Sequence, residues 1–139
     1  MRVVLDSNVI VSALIARGSL PGQVLRGWVN NNYDLLTCEL QIEELRRVTR
    51  YPKVQKLIPA AKSGRVINNL KSASLWITRL PLVDRSPDPD DNYLLALAQA
   101  GATDFLVTGD KPDLLALGTH LATKIVSVRH FLEVHAPLN

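Results

Sequence analysis

Val3-Val4-Leu5-Asp6-Ser7-Asn8-Val9-Ile10 begins with a short, unbroken apolar run and passes at once into three polar residues. An apolar run of this length, without polar alternation, is the pattern of a strand buried on both faces, as in a parallel sheet covered by helices. Asp6-Ser7-Asn8 then offers capping side chains for a helix carrying Val9, Ile10, Ala13 and Leu14. The same cadence recurs along the chain. Residues 33–37, 76–80, 105–107 and 124–126 read as further strands, and helical patterns separate them. Strands alternating with helices predict an α/β three-layer sandwich, with a mostly parallel central sheet flanked by helices on both faces.

Between the strands, Arg17 to Gly22 is a break, and a second amphipathic helix carries Val24, Leu25, Trp28 and Val29. A helix over residues 39–50 is stopped by Tyr51-Pro52. Within it Leu40, Glu44, Leu45 and Val48 share one face while Glu39 and Glu43 point away, so Glu44 is a carboxylate on an apolar stripe. Residues 53–75 form one or two more helices, broken near Pro59. Short helices are expected over residues 112–117 and 127–134.

Ser86-Pro87-Asp88-Pro89-Asp90-Asp91-Asn92 leads into the helix of residues 89–100, which Gly101 ends. Asp88 suits the N-cap and Pro89 the first helical position, and all three acids favour the positive end of the helix dipole. Capping does not explain the phase. At about 100° per residue Asp91 lines up with Leu94, Leu95, Ala98 and Ala102, while Asp90 falls at the edge of that stripe. A carboxylate aimed into the core needs a partner.

The chain of 139 residues, 47% hydrophobic, is long enough for one buried core and is read as a single domain, 1–139. Its one cysteine, Cys38, excludes an intrachain disulfide and a thiolate zinc cluster within one chain. No apolar stretch suits a signal peptide or a membrane span, so a cytoplasmic protein without membrane contact is expected. The net charge of +3 hides a separation: residues 45–83 hold nine Lys or Arg and no acid. Such a segment fits either a solvated helix face or a polyanion partner, whose condensed counterions are released when Lys and Arg neutralise its phosphates.

In an open parallel sheet, functional groups gather at the carboxyl ends of the strands. Asp6 and Asp110 each follow a buried strand, Asp91 opens a helix near the same edge, and Glu44 faces inward. Four converging acids repel one another unless a cation joins them, and carboxylate oxygens suit a hard divalent ion, Mg²⁺ or Mn²⁺. His120, His130 and His135 lack metal-site spacing. Each acid alone has a structural use as a cap or turn residue; the joint pattern carries the inference.

Residues 6–14, Glu44-Leu45-Arg46-Arg47-Val48 before Tyr51-Pro52-Lys53, Asp88-Pro89-Asp90-Asp91-Asn92, and Leu106-Val107-Thr108-Gly109-Asp110-Lys111 together resemble the ordered acidic motifs of PIN-domain nucleases. The likeness is greatest to the toxins of bacterial and archaeal toxin-antitoxin pairs. It implies a metal-dependent endoribonuclease with Asp6, Glu44, Asp91 and Asp110 as metal ligands and catalytic acids. It also implies support from Ser7 or Asn8 and from Thr108, a cognate antitoxin partner and a homodimer; Asp90, by its phase at the edge of the buried stripe, is a supporting residue or a complement to the helix dipole. Ser7 stands where the pattern more often has Thr, and Pro112 where an Asp-Leu pair usually follows Lys111 directly. Arg46, Arg47, Arg50, Lys53 and Lys111 are the candidate RNA contacts. Two other classes remain open, a non-catalytic RNA- or protein-binding module with a vestigial acidic site and a Mg²⁺-dependent phosphoacceptor domain. The second lacks its paired acids on the first strand.

Overall fold

Val3, Val4 and Leu5 are fully buried, and they divide between two separate cores. The computed structural model describes residues 1–109 and 111–135. In chain order these form β1 (Arg2–Leu5), α1 (Ser7–Ile15), α2 (Leu20–Val29), β2 (Asp34–Thr37), α3 (Glu39–Thr49), α4 (Pro52–Gln55) and α5 (Ala60–Ala73). There follow β3 (Leu75–Trp76), a 3-10 turn (Pro89–Asp91), α6 (Asn92–Ala100), β4 (Phe105–Thr108), α7 (Pro112–Leu117), β5 (Thr119–His120), β6 (Thr123–Ser127) and α8 (Val128–His135). The strands make one six-stranded sheet in the order β3-β2-β1-β4-β6-β5, parallel except where β5 runs against β6.

Successive side chains of a strand point to opposite faces. Val3, Leu5, Leu35, Val107 and Val126 therefore join the core under α1, α2, α3, α5 and α8, whereas Val4, Leu36, Leu106 and Ile125 join the core under α6 and α7. Apolar residues on both faces explain why the strands read as continuous runs. The expected three-layer α/β sandwich is the observed architecture. Among the described residues no helix is long and apolar enough to cross a membrane.

The strand order reverses between β1 and β4, because the chain moves outward through β2 and β3 and then returns to the other side of β1. Crevices at such a switch point, beyond the carboxyl ends of the strands, are where α/β sheets bind ligands. Asp6 and Thr108 stand at this point, and the ladder runs up to them through the bond from the Asp6 amide to the Val107 carbonyl at 2.9 Å.

Three expectations are corrected. The strand foreseen over residues 76–80 pairs only as Leu36↔Leu75 and Thr37↔Trp76. β2 ends at Thr37, so after the Ile77 amide bonds the Thr37 carbonyl there is no partner left and the chain departs from the sheet. The two-residue β5 was not foreseen, since Thr119-His120 carries no apolar run; Gly118, at φ 71°, turns the chain into it. In α3 the buried side chains are Gln41, Ile42, Leu45 and Thr49, and Leu40 is 49% exposed. Gln41 and Thr49, polar residues outside the expected apolar row, are buried with their hydrogen bonds made.

Candidate active site

Asp6 is the N-cap of α1, 1% exposed, with Oδ1 accepting from the Asn8 amide at 3.1 Å. Its other oxygen accepts from Thr108 Oγ1 at 2.9 Å, so the carboxylate is clamped between the ends of β1 and β4. Asp91, 3% exposed, ends the 3-10 turn and starts α6. Asp88 caps that turn by accepting from the Asp90 amide at 3.0 Å, and the Asp90 side chain is exposed, with no ion pair among the described residues. The turn is anchored by Asn92 Oδ1, which accepts from the Arg85 and Ser86 amides at 3.0 and 2.8 Å.

Lys111 joins the two acids. Its ammonium lies 2.7 Å from Asp91 Oδ1 and 3.4 Å from Asp6 Oδ2. Burial lowers the affinity of Lys111 for its proton, but the hydrogen bond to Asp91 and the charges of Asp6 and Asp91 outweigh that, and its pKa is raised. Burial likewise raises the pKa of Asp91, against the opposing pull of Lys111. The partner that helical phase demanded for Asp91 is thus a lysine twenty residues on, a residue read from sequence as an RNA contact.

Glu44 is half-buried and accepts a hydrogen bond from the Tyr93 hydroxyl. Because that proton goes to Glu44, Ser7 Oγ donates to the Tyr93 oxygen at 3.0 Å and in turn accepts from Gln41 Nε2 at 3.4 Å. Gln41 is oriented by donating to the Leu5 carbonyl at 2.7 Å and accepting from Thr37 Oγ1 at 2.7 Å. A directed chain therefore runs from Gln41 through Ser7 and Tyr93 to Glu44. Burial and then the Glu44 carboxylate hold the Tyr93 phenol in its protonated state, far above the usual tyrosine range.

Of the residues expected at the site, Asp6, Asp91, Thr108 and Lys111 meet directly, and Ser7 and Glu44 are linked through Tyr93. Asn8 contributes its backbone amide and leaves its side chain exposed. Asp110 lies outside the described residues. Arg46 is half-buried and Arg47, Arg50 and Lys53 are exposed along the end of α3 and the start of α4. Sequence reasoning missed Tyr93 and Gln41. The available signal was that a buried phenol or carboxamide needs partners, which flags such residues without naming what they reach.

The fit to a hard divalent ion follows from the donors. Two buried carboxylates converge on the point that the Lys111 ammonium occupies, and the atoms there able to bind a cation are oxygens, with the Thr108 hydroxyl holding Asp6 in place. Mg²⁺ is commonly held by one or two carboxylates while keeping several waters. Among the described residues no three His, Cys, Asp or Glu side chains stand close enough to share an ion. Asp6 and Asp91 form the pair that fits it.

A family model described as the PIN domain matches residues 2–112. The chain belongs to the PIN-domain family. The match runs from β1 to the first residue of α7 and takes in Asp6, Glu44 and Asp91. PIN domains are generally nucleases and typically use divalent metals, and the acids at the switch point of this PIN domain lie where such chemistry belongs. No curated protein and no solved structure matches the chain.

Proposed function

We propose that this PIN domain is a metal-dependent endoribonuclease that hydrolyses RNA phosphodiester bonds, acting as the toxin of a toxin-antitoxin pair. The observation that carries the reading is the convergence of Asp6 and Asp91 on a single ammonium at the switch point of the sheet. Asp6 and Asp91 are the pair that would hold Mg²⁺ or Mn²⁺ directly, with Glu44 acting through water and Asp110 completing the set that the family likeness implies. Such an ion, when bound, makes a bound water acidic enough to attack and neutralises charge on the scissile phosphate.

The side chains have separable tasks. Thr108 fixes the rotamer of Asp6, and Tyr93 orients Glu44 from Ser7 and Gln41. Lys111 neutralises the acid pair and is positioned to exchange carboxylate for phosphate as RNA enters. Arg46, Arg47, Arg50 and Lys53 guide the backbone of the strand through contacts that carry no sequence information. The toxin role brings with it a cognate antitoxin protein, a homodimer and a cytoplasmic site of action.

The test is cleavage of total RNA by the purified protein with and without Mn²⁺, with the ends mapped. Metal-dependent cuts leaving 5′-phosphates, absent from Asp6→Asn and Asp91→Asn, support the proposal. Equal cleavage by a rigorously purified double variant would sink it. The toxin role is tested separately: expression should arrest growth, and expression of Asp91→Asn should not.

A further inference from the structure

β2 ends at Thr37 and the chain turns into α3, while the segment beyond β3 leaves the sheet. The parting leaves a crevice of about 320 Å³ beyond the carboxyl ends of β2 and β3, lined by Glu39, Leu40, Trp76, Ile77 and Leu80. Trp76 packs against the core under α3, and Ile77 and Leu80 against the core under α6, so the crevice opens between the two helical layers. It lies on the same edge as the acid pair. Val4 pairs with Leu36 and Thr37 with Trp76, which sets Asp6, Cys38 and Ile77 at one level on three adjoining strands. At roughly 4.8 Å per strand the crevice begins about 10 Å from Asp6. The first turn of α3 bridges that gap, because Gln41 donates to the Leu5 carbonyl at 2.7 Å and reaches Ser7 Oγ at 3.4 Å.

The lining restricts what can enter. Of the two tryptophans Trp28 is buried in the core, whereas Trp76 is half-buried and Leu40 beside the crevice is exposed. Apolar and aromatic groups left uncovered in a concave site are the usual lining of a ligand pocket. Among the described residues Glu39 is the one charged side chain of this lining, and it makes no ion pair. A carboxylate repels phosphate and accepts N–H. A flat ring that stacks on an indole and carries N–H groups on its edge is a nucleobase.

We propose that this crevice seats one guanine base of the RNA, stacked on Trp76, with Glu39 accepting hydrogen bonds from its N1–H and N2–H groups. Guanine alone among the four bases offers two adjacent donors on its pairing edge, and they match the two oxygens of a carboxylate. The volume lies at the lower end of small-ligand sites, roughly 300 Å³, room for one base and too small for a large cofactor. At roughly 3.4 Å per stacked nucleotide, about 10 Å sets the base within about three nucleotides of a phosphate at the acid pair. The identity of the strand rests on the nuclease reading, and the crevice adds the base selectivity that phosphate contacts along α3 lack.

The experiment measures binding of short fluorescent RNAs in EDTA, where no metal-dependent cleavage occurs: one all uridine, one with a single central guanine and one with a single central inosine, which lacks the N2 amine. The wild type should bind the guanine RNA about tenfold more tightly than the uridine RNA, with the inosine RNA between them. Trp76→Ala should lose that preference with the salt slope unchanged, since an indole neutralises no phosphate, and Trp76→Tyr should keep it by restoring a ring. Trp76→Ala also removes packing under α3, so Glu39→Gln, at an exposed residue, gives the second answer. It should bind the guanine and inosine RNAs equally while gaining affinity for the uridine RNA, because a negative charge is gone. A wild type without guanine preference overturns the proposal, as does a preference that Glu39→Gln leaves intact. RNA binding indifferent to both residues, with Trp76→Ala separating a dimer or releasing a partner protein, also overturns it, because the crevice then seats protein. With Mn²⁺ present, cuts placed without regard to guanine overturn the pocket and leave the nuclease reading standing. Guanine preference in a protein that cuts nothing refutes the nuclease reading and leaves the pocket standing.

Discussion

Lys111 Nζ lies 2.7 Å from Asp91 Oδ1, so the acid that opens α6 is neutralised from the loop after β4 rather than from its own helix. The contact ties the two sides of the switch point together. It also sets a cation between Asp91 and Asp6, whose mutual repulsion would otherwise oppose the fold.

Removing that cation tests its weight. The Lys111 side chain is 26% exposed, so Lys111→Met should cost less than the ~3–5 kcal/mol of a fully buried pair, about 2 kcal/mol. In EDTA the melting temperature should fall by roughly 6 °C. Mn²⁺ should restore more stability to the variant than to the wild type, because it meets both carboxylates without displacing an ammonium. An unchanged melting temperature in EDTA shows the ion pair to be of no consequence.

Asp6 has two tasks that substitutions separate. Asparagine keeps an oxygen for the Asn8 amide and caps a helix as well as aspartate does, so Asp6→Asn should fold normally and lose metal-dependent cleavage. Asp6→Ala loses the cap, about 1 kcal/mol, and strands the Thr108 hydroxyl as well. Thermal melts of the pair, read beside activity, check the separation. Equal destabilisation in both variants contradicts it.

Tyr93→Phe deletes one oxygen and releases both Glu44 and Ser7. Partners behind metal ligands typically matter by about 10–100-fold in metal affinity. The Mn²⁺ concentration for half-maximal cleavage should therefore rise by about tenfold or more, while KM for RNA stays constant. A change in KM alone would place Tyr93 in RNA binding instead.

His120 makes the fold sensitive to mild acid. It is 7% exposed; its Nδ1 accepts from the Arg85 guanidinium at 3.1 Å, and Nε2 therefore donates to Gln99 Oε1 at 2.9 Å. Burial, then the Arg85 charge, lowers its pKa from the ordinary 6.5. Below that value the unfolded chain takes up a proton that the folded chain refuses, so stability falls as pH drops from about 7 until the folded pKa is passed. His120→Gln should flatten the decline in melting temperature between about pH 7 and pH 5.5. A parallel decline in both proteins excludes His120 as its source.

Much of this arrangement was legible before any coordinates. Continuous apolar runs marked the buried strands, and helical phase set Asp91 inward, with Asp90 at the edge of the stripe, where the structure leaves it exposed. The same reasoning failed in part of α3: Leu45 of the expected Leu40, Glu44, Leu45 and Val48 row is buried, but Leu40 is exposed and Gln41 and Ile42 take its place. Hydrophobicity ranks residues by side chain alone, and Gln41 is buried because the Leu5 carbonyl and Thr37 hydroxyl satisfy it. Those partners belong to strands that periodicity within a helix does not report.

By itself, then, the sequence determined the layers of the sandwich, the helix starts and the approach of acids to one edge of the sheet, because strand alternation, caps and phase are local properties of the chain. Only the tertiary structure decided the partners. Lys111 meets Asp6, and Tyr93 links Ser7 to Glu44. Charge and hydrogen-bond complementarity between elements depends on how far each side chain reaches once the sheet order is set, and spacing along the chain does not encode that distance.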